Sequence, residues 1–199
     1  MSARFILASA SPARLETLRR AGVEPEVIVS GVDESTVAAD DTSGLVNELA
    51  WLKASAVAEQ VDDALVLGCD SLLELDGRPL GKPSGTDDVR ERWRAMRGRT
   101  GILHTGHALL APAGRSVRAT AATSVSFADA SDDEIELYCT TGEPLAVAGA
   151  FTIDGLGGWF IEAIEGDHHN VVGLSLPLLR KMLAQLGYTL RDVGYPAAR

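Results

Sequence analysis

Hydrophobic residues in the first part of the chain form short apolar runs separated by longer amphipathic stretches. The runs at residues 4–8, 26–29 and 64–68 have the length and composition of buried strands. Between them, apolar positions recur every three to four residues at 12–21 and 43–60, which is the spacing of a helix with one buried face. This alternation of strands and helices predicts an α/β fold.

Local signals define the two helices more closely. Ser11 is a good N-cap, Pro12 suits the first helical position, and Gly22 follows the last turn of the first helix. The predicted buried stripe of the second helix consists of Leu45, Leu49, Leu52 and Ala56. Lys53 lies one residue beyond this stripe, at the edge of the buried face, where a lysine side chain usually extends into solvent.

The second part of the chain predicts a mixture of helices and antiparallel strands. The predicted elements are a helix that Thr86 caps and Gly98 closes, paired strands at 104–111 and 116–127, a helix at 131–142, a strand at 159–164 and a helix at 176–186. Ser131 and Glu134 form a capping-box pattern at the start of the predicted helix at 131–142. Residues 165–170, which include His168 and His169, are predicted to form a polar loop.

Composition and charge restrict the function. The chain has 199 residues with 46% hydrophobic content, enough to bury a core as one folding unit. Its formal net charge of -10 argues against a nucleic-acid polymer as partner, because phosphate backbones need clustered Lys and Arg. Neither a membrane-spanning run nor a signal-peptide pattern is recognisable, and the two cysteines, Cys69 and Cys139, fit no metal-ligand spacing. We therefore expect a cytoplasmic protein with buried, unreactive thiols.

A carboxylate and a lysine are the first candidates for chemistry. Asp70 follows the predicted strand at 64–68, and ligands of open α/β sheets bind beyond the carboxyl ends of strands. The dipeptide Asp76-Gly77 predicts a tight hairpin that would return Lys82 towards Asp70. This pair would suit a metal-bound phosphate ester. The alternative is that Asp70 caps the following segment and Lys82 is a solvated turn residue.

Two further segments carry candidate ligand-binding groups. The loop before the first helix points backbone N–H groups and a helix N-terminus at one place, with Ser9, Ser11 and Arg14 as additional donors for an anion. Asp33 and Glu34 follow the second predicted strand and would suit a divalent cation. The alternatives are an ordinary N-cap with an exposed arginine and a solvated acidic turn.

In order and spacing, five pieces of the sequence resemble the Maf family of nucleoside triphosphate pyrophosphatases, also called septum formation inhibitors. They are 9–14 (SASPAR), 33–34 (DE), 53–54 (KA), 68–71 (GCDS) with 81–83 (GKP), and 148–151 (AGAF) with 170–174 (NVVGL). The resemblance covers nearly the whole chain. It implies an inosine-triphosphatase-like (Maf/Ham1 type) α/β fold, in which one domain at 1–199 has two lobes around a long mixed β-sheet with a central cleft.

The resemblance also implies an activity and roles for particular residues. The reaction is hydrolysis of a nucleoside triphosphate to the monophosphate and pyrophosphate, with a divalent metal cation (Mg²⁺ or Mn²⁺) and usually a homodimer. Asp70 matches the proton acceptor. The other residues that it implies are catalytic Lys53 and Lys82, substrate-binding Ser9, Ser11, Arg14 and Ser71, and metal-binding Glu34 together with Asp70.

Three positions depart from the branch of the family that acts on dTTP and UTP. That branch has arginine, threonine and glutamine where this chain has Ala13, Ser71 and Asp154. Ala13 removes a cation, and an ionised Asp154 only accepts hydrogen bonds where an amide both donates and accepts. The preferred base therefore stays open.

Two other function classes compete with the pyrophosphatase. One is a nucleotide-binding regulator of cell division that does not turn its ligand over, as the older family name suggests. The presence of Asp70, Glu34 and both lysines argues against it, because binding alone needs no base. The other is a phosphohydrolase that releases orthophosphate, which the lack of a Walker A pattern and of an Asp-x-Asp start disfavours.

Overall fold

The computed structural model describes residues 3–196, and a seven-stranded mixed sheet runs through this part of the chain. The strands are β1 (Arg4–Leu7), β2 (Glu26–Val27), β3 (Ala64–Leu75), β4 (Arg78–Leu80), β5 (Thr100–Ala111), β6 (Arg115–Phe127) and β7 (Ile161–Glu165). The helices are α1 (Pro12–Arg20), α2 (Thr42–Ala58), α3 (Thr86–Met96), α4 (Asp132–Thr140), α5 (His168–Val172) and α6 (Leu176–Gln185). Several 3₁₀ turns connect them. The predicted mixed α/β architecture is confirmed.

The strand order is β2-β1-β3-β5-β6-β7, with β4 paired to β3 beside this series. β1 pairs with β2 and β3 in parallel, whereas β3, β5, β6 and β7 form antiparallel pairs. The central strand β3 is 12 residues long. It continues through Asp70, so the predicted strand end at residue 68 is wrong. Pairing with β5 from Val66 to Glu74 holds the polar residues Asp70 and Ser71 in the strand.

One edge of β3 is left open in its middle. β1 ends opposite Leu67, where the Ala8 N–H donates to the Leu67 carbonyl at 2.8 Å, and β4 ends, at Leu80, opposite Leu73. β5 occupies the other edge along this whole length. Within the described chain, residues 68–72 therefore lie in a gap between β1 and β4. Asp70 and Ser71 are in the middle of this gap, and their side chains point to opposite faces of the sheet.

Helix α2 packs directly on one face of the sheet. A Cβ added at Gly68 would overlap the Ala50 carbonyl oxygen, and one at Gly106 would overlap that of Val46. The helix buries a face of mostly small residues on these glycines: Thr42, Val46, Leu49, Ala50, Ala54 and Val57. The predicted stripe is wrong apart from Leu49, because the larger side chains at 45 and 52 do not fit under so close a helix and stay half-buried.

The opposite face of the sheet carries two apolar clusters. The first joins α1 and α6 to β3 and β5, with Leu18, Leu67, Leu109 and Met182 at its centre. The second joins α3 and α4 to β3, β5 and β6. Here the Trp93 ring meets other aromatic rings edge-on. Helices α3, α4 and α6, with the C-cap Leu186 of α6, bury these residues: Val89, Trp93, Met96, Ile135, Tyr138, Cys139, Leu179, Met182, Leu183 and Leu186.

Most predicted boundaries are within two residues of the observed ones. Besides the end of β3, the exception is the start of β5, which lies at Thr100, four residues before the predicted 104. Three further local predictions need correction. The N-cap of α3 is Gly85, and Thr86 is the first residue of that helix. The polar loop at 165–170 includes the start of α5, which Asp167 caps through a hydrogen bond to the His169 N–H. The strand predicted at 159–164 begins only at Ile161. None of the described helices has the length and apolar character needed to cross a membrane.

Candidate active site

Lys53 joins the two carboxylates that the sequence marks for metal binding. Its Nζ lies 2.5 Å from Asp70 Oδ1 and 2.8 Å from Glu34 Oε1. The side chains of Lys53 and Asp70 are 12% and 11% exposed, whereas that of Glu34 is 51% exposed. One ammonium group therefore bridges a buried carboxylate in the gap of the sheet and an accessible one at its rim.

The close packing of α2 on the sheet creates this contact. Gly68 and Asp70 lie on the same face of β3, and Gly68 lets the helix backbone come down onto the strand at Ala50. Lys53 is on the next turn of the helix and thus reaches Asp70. Glu34 begins a 3₁₀ turn capped by Asp33. The Asp33 carboxylate accepts hydrogen bonds from the N–H and hydroxyl of Ser35, so this acid shapes the turn.

Arg14 occupies the other face of β3. Its guanidinium donates from Nε to the Gly173 carbonyl at 2.8 Å, from one terminal nitrogen to Ser9 Oγ at 3.1 Å, and from the other to Ser71 Oγ at 3.0 Å. Arg14 and Ser9 are both buried. All three acceptors are neutral, and within residues 3–196 Arg14 forms no salt bridge. The guanidinium is held firmly, and its positive charge is not compensated by a paired acid.

Local structure fixes the arginine from both ends. Ser11 caps α1 by accepting the Arg14 N–H, and the Ser11 N–H donates to Ser9 Oγ. Gly173 ends α5 at a φ of 117°, and a Cβ there would be 3.3 Å from the arginine Nε. Only a residue without a side chain combines this backbone conformation with so close an approach. Sequence reasoning did not assign this role to Gly173, although its place in the matched segment 170–174 was a signal.

A buried polar chain supports Ser71 from below. Its hydroxyl is 2.9 Å from Thr105 Oγ1, which also donates to the Asn170 carbonyl. Beside them, His107 Nε2 accepts the Ser175 N–H at 2.9 Å, so that Nδ1 is the donor to the Thr105 carbonyl. Burial lowers the pKa of His107 to about 4, which keeps the ring neutral. Thr105 and His107 lie within a strand pattern and gave no sequence signal.

Two of the three positions that depart from the branch acting on dTTP and UTP lie together. Ala13 and Asp154 line one cavity of about 200 Å³. The other residues around this cavity are Glu16, Thr17, Arg20, Ala21, His168, His169, Val172 and Leu176. Ser71 is not part of this lining, but it contacts Arg14, the neighbour of Ala13 in α1. The cavity is thus lined by residues of α1 that flank Arg14 in the chain, and neither Arg14 nor Lys53 is part of its lining.

Lys82 is less closely associated with the site than the sequence suggests. The predicted hairpin is confirmed, with Asp76 and Gly77 at φ values of 52° and 74° between β3 and β4. Lys82 follows β4 and is exposed, and it forms no ion pair with any described residue. The lysine that contacts Asp70 is Lys53, so the predicted pairing of Lys82 with Asp70 is not seen.

The thiol nearest the site is inert. Cys69 is fully buried beside Asp70 in the chain, and this burial raises the pKa of its thiol to about 12. Cys139 is also buried, and both cysteines are free. The prediction that they pack in the core is confirmed.

The gap in β3 therefore combines a buried carboxylate, an accessible one and two cations on opposite faces of one strand. Such a set is typical of an α/β protein that binds a phosphorylated ligand, since cations receive phosphate oxygens and carboxylates can hold a hard metal ion. Among the described residues no three His, Cys, Asp or Glu side chains are grouped to hold a metal by themselves.

Comparison with known proteins gives the family. A family model described as "Maf-like protein" matches residues 4–186, and the chain belongs to this family. A nucleoside triphosphate pyrophosphatase of Salinispora tropica is 60% identical over 92% of this chain and 84% of its own length. One of Streptomyces coelicolor is 55% identical over 98% of this chain and 96% of its own length.

Solved structures with a similar shape include the Ham1 protein of Staphylococcus aureus, with 14% identity and a TM-score of 0.46 over 96% of this chain and 93% of that one. A dITP/XTP pyrophosphatase of Mycobacterium abscessus has 18% identity and a TM-score of 0.41 over 63% of this chain and 75% of that one. The family assignment rests on the sequence matches alone.

Proposed function

We propose that this protein hydrolyses nucleoside triphosphates to the monophosphate and pyrophosphate, with Asp70 as proton acceptor for the attacking water. The observation that supports this most directly is the placement of Asp70, buried in the gap of the sheet with Lys53 on its own face and Arg14 on the other. The names of relatives at 55% and 60% identity support the same reaction.

The residues of the gap suit each step of this chemistry. A water attacking the α-phosphorus must lose a proton, and a carboxylate within reach accepts it. The leaving pyrophosphate gains negative charge, and cations fixed beforehand stabilise such a transition state. Arg14 is held in place by its three hydrogen bonds, and Lys53 is the nearest cation to Asp70. Lys82, exposed at the end of β4, would reach outer phosphate oxygens.

Glu34 and Asp70 would hold a divalent cation. The donor set supports this proposal, because two carboxylates share one positive partner in the gap. Two carboxylates plus substrate phosphates and water form the usual environment of Mg²⁺, which protein side chains alone rarely complete. A bound Mg²⁺ or Mn²⁺ supplies charge neutralisation at the phosphates.

The cavity at Ala13 and Asp154 is proposed to receive the base. Ala13, which lines this cavity, precedes the arginine proposed to bind phosphate, and Ser9, Ser11 and Ser71 form hydrogen bonds with that arginine. The positive group of the pyrimidine-specific branch is missing at Ala13, and Asp154 offers only acceptors when ionised. A base that presents N–H donors at this edge is favoured over one that presents carbonyls.

The remaining features follow from the family resemblance. We propose one domain at 1–199, a homodimer in the cytoplasm, and a role in clearing non-standard nucleotides. Size-exclusion chromatography with light scattering measures the oligomeric state, and an elution mass of one chain would contradict the homodimer.

The test of the reaction is a panel of standard and modified nucleoside triphosphates with Mg²⁺ or Mn²⁺, in which pyrophosphate and monophosphate are both quantified. Asp70→Asn is expected to lower kcat by about 10³, because a general base typically contributes 10²–10⁴. Asp133→Asn, at an exposed position in the first turn of α4, is the matched control and should keep full activity.

Each outcome of this panel has a definite meaning. Pyrophosphate release that collapses only in the Asp70 variant supports the proposal. Orthophosphate as product would replace it with a different phosphohydrolase. Binding of nucleotides by a folded protein without any turnover would favour the cell-division regulator.

A further inference from the structure

The position between Glu34 and Asp70 already holds a cation of the protein itself. Lys53 Nζ is 2.8 Å from one carboxylate and 2.5 Å from the other. A divalent ion bridging the same two oxygens would have to occupy the space of the ammonium group or lie directly beside it. Two positive centres so close repel each other strongly where solvent is largely excluded.

We propose that Lys53 is a resident counter-ion that excludes the divalent cation from Glu34 and Asp70 until nucleotide arrives. The phosphates then take over the ammonium group, and the two carboxylates become free for the metal. This inference rests on the metal site of the proposed function. It adds an order of events: metal and nucleotide enter together, and the nucleotide-free protein has little affinity for the metal alone.

The local charges favour this exchange. Two carboxylates and one ammonium group leave one net negative charge, a weak attraction for a divalent ion. Without Lys53 the same place would carry two negative charges and would attract the ion far more strongly. With metal and Lys53 both present, the group becomes net positive, which is favourable only when an anionic phosphate lies against it.

The structure allows Lys53 to move and Arg14 to stay. A lysine ammonium sits on a flexible four-carbon stem and bonds without a fixed geometry, whereas a guanidinium fork is planar and oriented. Arg14 is tied to three acceptors, two of them side chains and one a backbone carbonyl. Among residues 3–196, Lys53 is tied only to Asp70 and to Glu34, whose side chain is half exposed on a short turn. Its release frees no backbone group.

The experiment measures Mn²⁺ binding without nucleotide. Free and bound Mn²⁺ are separated by electron paramagnetic resonance, at constant ionic strength, for the wild-type protein and Lys53→Met. The variant is expected to bind Mn²⁺ at least about tenfold more tightly, since an adjacent positive charge is removed. Lys181→Met, at an exposed position of α6, removes a charge elsewhere and should behave as wild type.

A second variant shows where the added affinity lies. Combining Lys53→Met with Glu34→Gln should abolish the gain, because one of the two carboxylates is lost. If the gain survives, the ion binds elsewhere and the proposal is wrong. Equal Mn²⁺ affinity of the wild type and Lys53→Met also overturns it. Circular dichroism checks that each variant is folded, and Lys53→Gln replaces Lys53→Met if the latter is not.

The result is independent of turnover. A gain of Mn²⁺ affinity in a protein that hydrolyses no nucleotide would retain the exchange and reject the proposed reaction. Full hydrolysis by the wild type, with no gain of Mn²⁺ affinity in Lys53→Met, would retain the proposed reaction and reject the exchange.

Discussion

Arg14 and Lys53 flank neighbouring residues of one strand, yet they are held in opposite ways. Lys53 approaches Asp70 from the α2 face and is paired with two acids. Arg14 approaches Ser71 from the α1 face, and in the described part of the chain it donates only to neutral oxygens. A cation paired with acids is compensated in the resting protein. A cation held by neutral groups keeps its field, because hydrogen bonds orient it without cancelling its charge.

Under the proposed function, the two cations have different tasks in binding phosphate. The arginine is positioned before the ligand would arrive, and its planar group matches phosphate oxygens in a fixed direction. The lysine would gain most from the ligand, since phosphate would replace its acidic partners. Preorganisation and exchange are thus assigned to different faces of the same strand.

The largest expected effect comes from a substitution that removes the oriented hydrogen bonds of Arg14. Arg14→Lys keeps the charge but cannot form the three oriented hydrogen bonds, so kcat/KM should fall by about 10²–10³. Lys53→Arg, measured in parallel under saturating Mn²⁺, should lose less, because the contact it replaces is a single ammonium group. Equal losses in steady-state kinetics would show that both cations act only through their charge.

A smaller effect is expected on stability at acidic pH, through His107, which lies beside the polar chain that supports Ser71 and Arg14. Burial lowers the pKa of His107 to about 4, against an ordinary value of 6.5. Between these values the unfolded chain binds a proton that the folded chain does not, so stability falls as the pH drops from 6.5 towards 4. The loss is about 1.4 kcal/mol per pH unit at most.

Thermal or denaturant unfolding across this range measures the slope for the wild type and for His107→Gln. The variant should show a shallower decline, although it is less stable overall at neutral pH. The exposed His168 provides the control, because His168→Gln should keep the wild-type slope. An unchanged slope in His107→Gln would show that His107 does not cause the loss of stability as the pH falls.

The smallest effect concerns the lysine side. Gly68→Ala would push α2 off the sheet at Ala50 and should cost about 1–3 kcal/mol of stability, as overpacking usually does. It should also weaken the Lys53–Asp70 contact while leaving Arg14 in place. Gly81→Ala, where an added Cβ would meet only the Leu72 side chain at 3.4 Å, is the matched control for denaturant unfolding. Equal stability of the two variants would mean that the close approach of α2 is not required.

Local signals in the sequence predicted the elements well, and contacts between distant residues account for what was missed. The Ser11 cap, the Ser131–Glu134 capping box and the Asp76-Gly77 turn involve residues within three positions of each other, and all three are observed. The polar residues Asp70 and Ser71 suggested that the strand ends before them. The strand continues because β3 pairs with β5 through both residues, and this long-range pairing leaves no local signal.

The candidate site shows the same division. Residue types and spacing pointed to Asp70, Lys53, Glu34 and Arg14, and the structure brings the first three together. The contact of Arg14 with Gly173 joins residues 159 positions apart and has no local pattern. The hairpin made Lys82 the expected partner of Asp70, whereas the packing of small residues of α2 on Gly68 gives that place to Lys53.

The gap between β1 and β4 also bears on self-association. An open strand edge is normally a template onto which another chain adds its own strand, and proteins protect such edges to avoid aggregation. Here only residues 68–72 are unpaired on this edge, with β1 ending on one side and β4 ending on the other within the described chain. A foreign strand would collide with both flanking strands before it formed a useful ladder. This stretch of edge is therefore too short to template the addition of another chain.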